Sequence, residues 1–408
     1  QSLEFRTEYD VLHRPLETYV KQAGIQEICF AKTNYGETVS NAKALNLRGQ
    51  AYQSWDQAGL MTSEAFDFKG NPLSMTRQLT ETYNQTIDWN NVIGLENDIF
   101  KTKSTYDALN RPTLTILPDG TKIKPTYNDG GYLETLEAQI MGQGVFKTFL
   151  EDQDYDAKGQ KQWVKYGNQT ITKYFYEAKT FRLANLITLH PDHQANNPNQ
   201  NIHSLQDLHY KYDVVGNIME VRDEAQSTFY YNNRAISPEK QYEYDDLYRL
   251  TKATGREHES SGTPNNEDLG HLQGTPSQHV NTAVRQYTQR YEYDAVDNIT
   301  SMSHKTGQPL GNWTRTYKYA TNASNQLEST QIGSNPPAVY NGYDIHGNMT
   351  KMPHLQALTW NFADQLTTVG LNGNGYKAHY NYDGSGQRVR KVLKNGLIKK
   401  EFSNTILK

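Results

Sequence analysis

The sequence predicts an all-β fold of tandem antiparallel β-hairpins, and three observations carry that prediction. A short aromatic–aspartate motif recurs along the chain. Tyrosine (29 residues) far exceeds phenylalanine (12), which favours pleated, half-wet surfaces over a dry core. Tyrosines also often stand two apart on the approach strand, at Tyr210/Tyr212, Tyr242/Tyr244, Tyr291/Tyr293, Tyr317/Tyr319 and Tyr380/Tyr382.

The motif is an aromatic residue, Asp, two variable residues, Gly or a polar residue, and then Asn, Arg or Gln. Its clearest copies are Tyr212-Asp213 with Gly216-Asn217 and Tyr343-Asp344 with Gly347-Asn348. Close variants are Phe66-Asp67 with Gly70-Asn71, Tyr155-Asp156 with Gly159-Gln160, Tyr293-Asp294 with Asp297-Asn298, and Tyr382-Asp383 with Gly386-Gln387. A second set replaces the glycine: Tyr9-Asp10 with His13-Arg14, Tyr106-Asp107 with Asn110-Arg111, and Tyr244-Asp245 with Tyr248-Arg249. Looser copies begin at Trp55-Asp56, Tyr127-Asn128 and Trp360-Asn361.

Each copy predicts one hairpin. On the incoming strand, a period of two puts the tyrosines on one face and Lys211, Glu243, Glu292, Lys318 and Asn381 on the other. The Asp side chain accepts a backbone N–H two residues on, forming an Asx turn. Gly or Asn then tolerates the left-handed conformation that closes a short loop. An outgoing strand follows, as in Asn217-Ile218-Met219-Glu220-Val221. Asp119-Gly120 and Asn395-Gly396 are ordinary turn signals, and Gly370 to Gly375 predicts a further hairpin loop. A lone hairpin is marginal in water, so successive units must pair edge to edge into a long strip. Residues 1–408 are expected to form one repeat region, interrupted by polar surface loops near 190–204 and 257–281.

Composition narrows the function. Apolar residues are 36% of the chain and mean hydropathy is −0.84, too little for a large solid core. A net charge of −4 lacks the basic footprint of a nucleic-acid binder. The single cysteine, Cys29, excludes an intramolecular disulfide framework and suits folding in a reducing cytosol. No apolar run approaches the roughly 18 residues of a membrane helix. The start at Gln1-Ser2-Leu3-Glu4 carries no secretory signal, and with the abrupt end at Leu407-Lys408 the chain is expected to be a fragment of a longer one.

No catalytic, metal or cofactor site is expected. The repeated Asp is a turn requirement, although positioned carboxylates also serve acid–base chemistry. His190, His193 and His203, and His258, His271 and His279, cluster in the two polar loops without a Cys partner. Glu257-His258-Glu259 is not a zincin motif, the glycines after Gly370 lack a phosphate-loop Lys, and Ser260-Ser261-Gly262 lacks nucleophile-elbow flanks. The tyrosine face either forms cross-strand ladders or stacks on sugars or unfolded peptide.

With these motifs laid out, the chain resembles the RHS/YD-repeat family. More narrowly, it resembles the shell-forming region of the C component, or fused B–C protein, of bacterial insecticidal toxin complexes (Tc toxins). Asn46-Leu47-Arg48-Gly49-Gln50, Asp56-Gln57-Ala58-Gly59-Leu60, Phe66 to Asn71, Leu205-Gln206-Asp207-Leu208 and the stretch Tyr244 to His258 carry the resemblance. It extends from about residue 9 to about residue 396. It implies a sheet that spirals into a hollow cocoon around an unfolded toxic polypeptide. It also implies a B-type shell partner, a pore-forming A component, folding in the cytoplasm and secretion. The autoprotease and toxin regions it implies would follow residue 408, so no enzymatic residue is assigned. The alternative function is a cell-surface or secreted β-repeat module that binds carbohydrate.

Overall fold

The computed structural model describes residues 3–191, 204–231, 233–259, 261, 283–308, 311–320, 325–340, 342–371, 376–394 and 399–401. Most of both expected polar loops, the glycines after residue 371 and the Asn395-Gly396 turn lie outside the described residues. What is described is β-strand and turn, with only two 3₁₀ turns, Gly36–Thr38 and Ile140–Gly142. Twenty-three strands belong to one long antiparallel sheet, five to a second sheet and two to a small ribbon.

The chain divides into two compact units. The first comprises Gln1–Pro125, Glu137–Phe146 and Gly342–Lys408. In it, each strand from Leu3–Tyr9 onward pairs antiparallel with its successor. The five-stranded sheet, Leu355–Trp360 to Lys399–Glu401, belongs to the same unit. The second unit comprises Thr126–Leu136 and Lys147–Asn341. Its strands Lys147–Tyr155 to Ala338–Val339 form another sequential ladder, with Phe229–Tyr231 and Arg234–Ile236 set aside as the ribbon. That ladder ends at a two-residue strand preceded by Pro336-Pro337, where two missing N–H donors leave little to pair.

The hairpins share one irregularity. The register shifts at the motif aromatic: between Glu8 and Tyr9, Asp154 and Tyr155, Lys211 and Tyr212, Glu243 and Tyr244, and Glu292 and Tyr293. Five residues then separate the aromatic from its partner, as in Tyr212↔Ile218. This is a type I turn closed by a left-handed residue and a bulge.

Apolar cores are small and local. In the first unit Ala42, Leu47 and Phe66 form one, and Leu358, Val369 and Ala378 another. Among the described residues, the bulkiest fully buried side chain is an arginine, Arg390.

Two glycines separate conformational from steric demand. Gly347 has φ +87° with open space around an added Cβ, whereas at Gly59 (φ +146°) a Cβ would lie 2.1 Å from the Gln78 carbonyl oxygen. Gly347→Ala is expected to cost about 1–2 kcal/mol. Gly59→Ala is expected to cost more than about 4 kcal/mol, because backbone must move. Denaturant unfolding of the two variants measures the difference, and equal losses would contradict this reading.

Candidate functional site

The motif residues form two linked devices, a clamp in each turn and a bond between turns. In the clamp, Asp10 Oδ1 accepts the N–H groups of Leu12 (2.8 Å) and Arg14 (2.9 Å), while Arg14 Nε donates to Oδ2 (2.7 Å). Asp107 with Leu109 and Arg111, and Asp245 with Leu247 and Arg249, repeat this atom for atom. Where the fifth turn residue is Asn, its amide replaces the guanidinium. Asn71, Asn217, Asn298 and Asn348 donate Nδ2 to Oδ2 of Asp67, Asp213, Asp294 and Asp344 at 2.8–3.1 Å. Asp156 and Asp383 accept the same pair of backbone N–H groups, but their fifth residues, Gln160 and Gln387, give them only the backbone bond. The Gln160 amide goes to the Phe181 carbonyl instead, at 2.9 Å.

The fourth turn residue is left-handed throughout. Gly70, Gly159, Gly216, Gly347 and Gly386 have φ of 78–115°, and His13, Asn110, Tyr248 and Asp297 have φ of 59–70°. Sequence reasoning identified Gly and Asn there but missed that His13 and Tyr248 adopt the same conformation. It also missed the role of the fifth residue, although its restriction to Asn, Arg or Gln was the visible signal.

Between turns, six tyrosines of the second unit donate their hydroxyls to a backbone carbonyl of the preceding hairpin. Tyr155 bonds Leu133 (3.2 Å), Tyr176 bonds Lys161 (2.9 Å), Tyr212 bonds Leu183 (2.8 Å), Tyr244 bonds Ile218 (2.9 Å), Tyr293 bonds Leu250 (2.8 Å) and Tyr319 bonds Ile299 (3.0 Å). Except for Leu183, which follows a longer turn, the acceptor is the sixth residue after the previous motif aromatic, the first of the outgoing strand. The first unit repeats the bond from Tyr382 to Leu366 (2.8 Å), and Trp360 Nε1 serves in the same way to Met349 (2.8 Å). Burial pushes the hydroxyls of Tyr155, Tyr212, Tyr244 and Tyr293 above the usual phenol pKa, so they stay protonated donors.

Turn tips also touch. Arg249 reaches the Asp294 carbonyl (3.1 Å) and Asp297 (2.7 Å), and Asn71 bonds Asn110 (2.9 Å). Several of the variable turn residues are apolar and exposed, with Val11 at 95% and Val214 at 96%.

Within the first unit, the C-terminal sheet is bound to strands about 300 residues earlier. The fully buried Arg390 donates through Nε to Asn381 Oδ1 (2.7 Å) and through Nη1 to Thr80 O (2.7 Å) and Glu96 Oε1 (3.2 Å). Its Nη2 reaches Thr80 Oγ1 (3.2 Å) and Thr82 O (3.5 Å). The guanidinium's five N–H groups are thus all directed at acceptors. Burial lowers its pKa from the usual guanidinium value, yet the group stays a cation. Asn381 Nδ2 bonds Tyr83 O (3.1 Å), and Gly384 N–H bonds Asp56 Oδ2 (3.1 Å), which Arg77 also holds. Asn381 was expected on the strand face opposite the tyrosines, with Lys211, Glu243, Glu292 and Lys318. It is buried because the segment after Thr80 covers it.

Other polar clusters went unread in the sequence. Glu257 pairs with buried Arg285 (2.8 Å) and with His304 (3.2 Å), whose ring stacks on Tyr287 and Trp313. Asp207, His209 and Glu224 bring one potential metal-ligand atom each within 4.8 Å of one another. His209 is already hydrogen-bonded there to Asp207 (3.0 Å) and Asn185 (3.2 Å). No helix among the described residues is long and apolar enough to cross a membrane.

No protein-family model matches the chain. It is 30% identical over 373 residues to toxin subunit YenC2 of Yersinia entomophaga, covering 88% of this chain and 37% of that protein. Toxin subunit YenC1 of the same organism is 28% identical over 367 residues, covering 86% of this chain and 36% of that protein. The chain thus spans just over a third of the curated relatives it matches. Among solved structures, TcdB2–TccC3 superposes with a TM-score of 0.82 at 26% identity, covering 98% of this chain and 19% of that one. The Photorhabdus luminescens Tc holotoxin pore gives 0.82 at 27% identity, covering 97% of this chain and 18% of that one. The long antiparallel sheet of hairpin repeats is therefore the fold of these toxin subunits.

The clamps make stability acid-sensitive. Asp67 and Asp294 are held below the usual carboxylate pKa chiefly by the Asn71 and Asn298 side chains, and Asp10 and Asp107 chiefly by the Arg14 and Arg111 backbone N–H groups. A lowered folded pKa gives stability that is complete above the unfolded value of ~3.9 and is lost as pH falls through the folded one. Thermal midpoints are expected to fall between about pH 5 and about pH 3, and less so in a variant with all four Asp→Asn. The same acid slope in that variant would refute the assignment.

Proposed function

With similarity to the C-type subunits of Tc toxins as the premise, we propose that this chain is a wall segment of a container. The container encloses an unfolded toxic polypeptide, made as a later part of the same longer chain, before delivery into a target cell. One observation carries the reading: the hairpin ladder superposes on TcdB2–TccC3 over 98% of its length. The physical logic agrees with it. A ladder held by turn clamps and tyrosine hydroxyls needs no solid core, so it can be a wall one sheet thick. A closed wall leaves no free strand edge and gives an unfolded cargo no partner for aggregation.

All 408 residues act as a single repeat region in this reading, and the motif residues, Tyr9 and Asp10 through Tyr382, Asp383 and Gly386, are structural. The chain itself is not an enzyme. Its partners are the cargo, a B-type shell component and, in the assembled complex, a pore-forming A component. Exposed apolar turn tips such as Val11 and Val214 suit burial against such a partner. The complex folds in the cytoplasm and is then secreted.

Protease protection tests this. The chain, extended after residue 408 by an unstructured reporter and co-expressed with a B-type component, is expected to shield the reporter from trypsin until the assembly is opened. A reporter digested as fast as the free peptide would remove encapsulation and leave only the repeat fold.

A further inference from the structure

A cavity of about 160 Å³ lies in the first unit, between residues 83–86 and the C-terminal sheet. None of its thirteen lining residues is charged, in a chain that is 21% charged: nine carry amides or threonine hydroxyls and four are aromatic. Another cavity, beside Phe175 and Phe181, is lined by Asp156, Glu177, Lys158 and Lys173 as well as aromatic rings. Uncharged lining therefore distinguishes this one.

Its walls are fixed before any ligand arrives. Trp360 is tied through Nε1 to Met349 O and Tyr382 through its hydroxyl to Leu366 O. The Gln57 amide is bonded at both ends, its Nε2 to Phe30 O (3.0 Å) and its Oε1 to the Ile87 N–H (2.9 Å), which pins the segment carrying Asn84, Gln85 and Thr86. Those three residues stay exposed and present amides and a hydroxyl to solvent.

We propose that this cavity is a binding site for a neutral saccharide, one pyranose ring deep. The exposed Asn84 and Gln85 amides and the Thr86 hydroxyl both donate and accept, as sugar hydroxyls require, while the Gln57, Asn361, Asn381, Thr367 and Thr368 side chains are hydrogen-bonded within the protein and hold the walls. Indole and phenol rings offer apolar faces to the C–H side of a pyranose. A carboxylate, phosphate or ammonium group would find no charged side chain in the lining, Arg388 and Arg390 being engaged with the Tyr380 and Tyr83 rings rather than lining the cavity, and would lose hydration on entry. The volume equals about five waters at ~30 Å³ each, room for one ring rather than an oligosaccharide. This assignment stands on the cavity alone and does not depend on the container reading.

Saturation-transfer NMR on the full chain tests it, with glucose, galactose, mannose and N-acetylglucosamine as probes and glucuronate as the charged control. At least one neutral sugar is expected to bind in the millimolar range, with glucuronate at least about tenfold weaker than the best neutral sugar. Thr86→Trp, which fills the exposed mouth, is expected to weaken binding by about tenfold or more. Asn84→Ala should weaken it several-fold, and Lys158→Ala at the other cavity should change nothing. Thermal melts confirm that each variant is folded. The proposal is overturned by no transfer to any neutral sugar, by glucuronate binding as well as the best of them, or by unchanged binding in folded Thr86→Trp and Asn84→Ala.

Discussion

The structure depends on one hydrogen bond repeated along the chain, from a motif tyrosine hydroxyl to the first carbonyl of the preceding hairpin's outgoing strand. A two-stranded hairpin cannot hold itself together in water, and these hairpins share no deep apolar core. The tyrosine must therefore find its acceptor at a set place. The Asp clamp provides that place, because it fixes five turn residues and so the position of the sixth. Asp213 holding Val215, Gly216 and Asn217 is what presents Ile218 O to Tyr244. The aromatic and the Asp are adjacent because one hairpin both receives a bond and prepares the next.

This arrangement suits a wall better than a globule. Stability is distributed among local units, each contributing about 1 kcal/mol per hydroxyl bond, with the rings supplying half-buried packing. Large buried groups occur where the ladder meets something outside its own register. Arg390 is one such case: a cation taken out of water at a cost of several kcal/mol and offset by five acceptors from segments far apart in sequence. Its geometry ties the C-terminal sheet to Thr80, Thr82 and Glu96, so that sheet is anchored to one place in the first unit.

Local features of this fold were legible in the sequence. The Tyr-x-Tyr-Asp spacing showed strand phase, turn position and the antiparallel class, because period two and an Asx turn are short-range signals. The clamp by Arg14, Asn71 or Asn217 was half-legible: the residue choice was visible, its bond to Asp Oδ2 was not. The left-handed His13 and Tyr248 were hidden because the clamp imposes the conformation that glycine merely permits. Asn381 and Arg390, and Glu257 with Arg285 and His304, were illegible for another reason. Apart from the cross-strand bond between Asn381 and Arg390 themselves, their partners lie from 28 to over 300 residues away, and no periodicity links them.

The most direct measurement is the unfolding free energy of Tyr212→Phe, Tyr244→Phe and Tyr293→Phe, singly and together, with the ring kept and only the hydroxyl removed. If the hydroxyl-to-carbonyl bond holds successive hairpins in register, each single variant loses about 1 kcal/mol and the triple variant about 3 kcal/mol. A triple variant as stable as the parent would show that ring packing alone carries the ladder, and the central claim would fail.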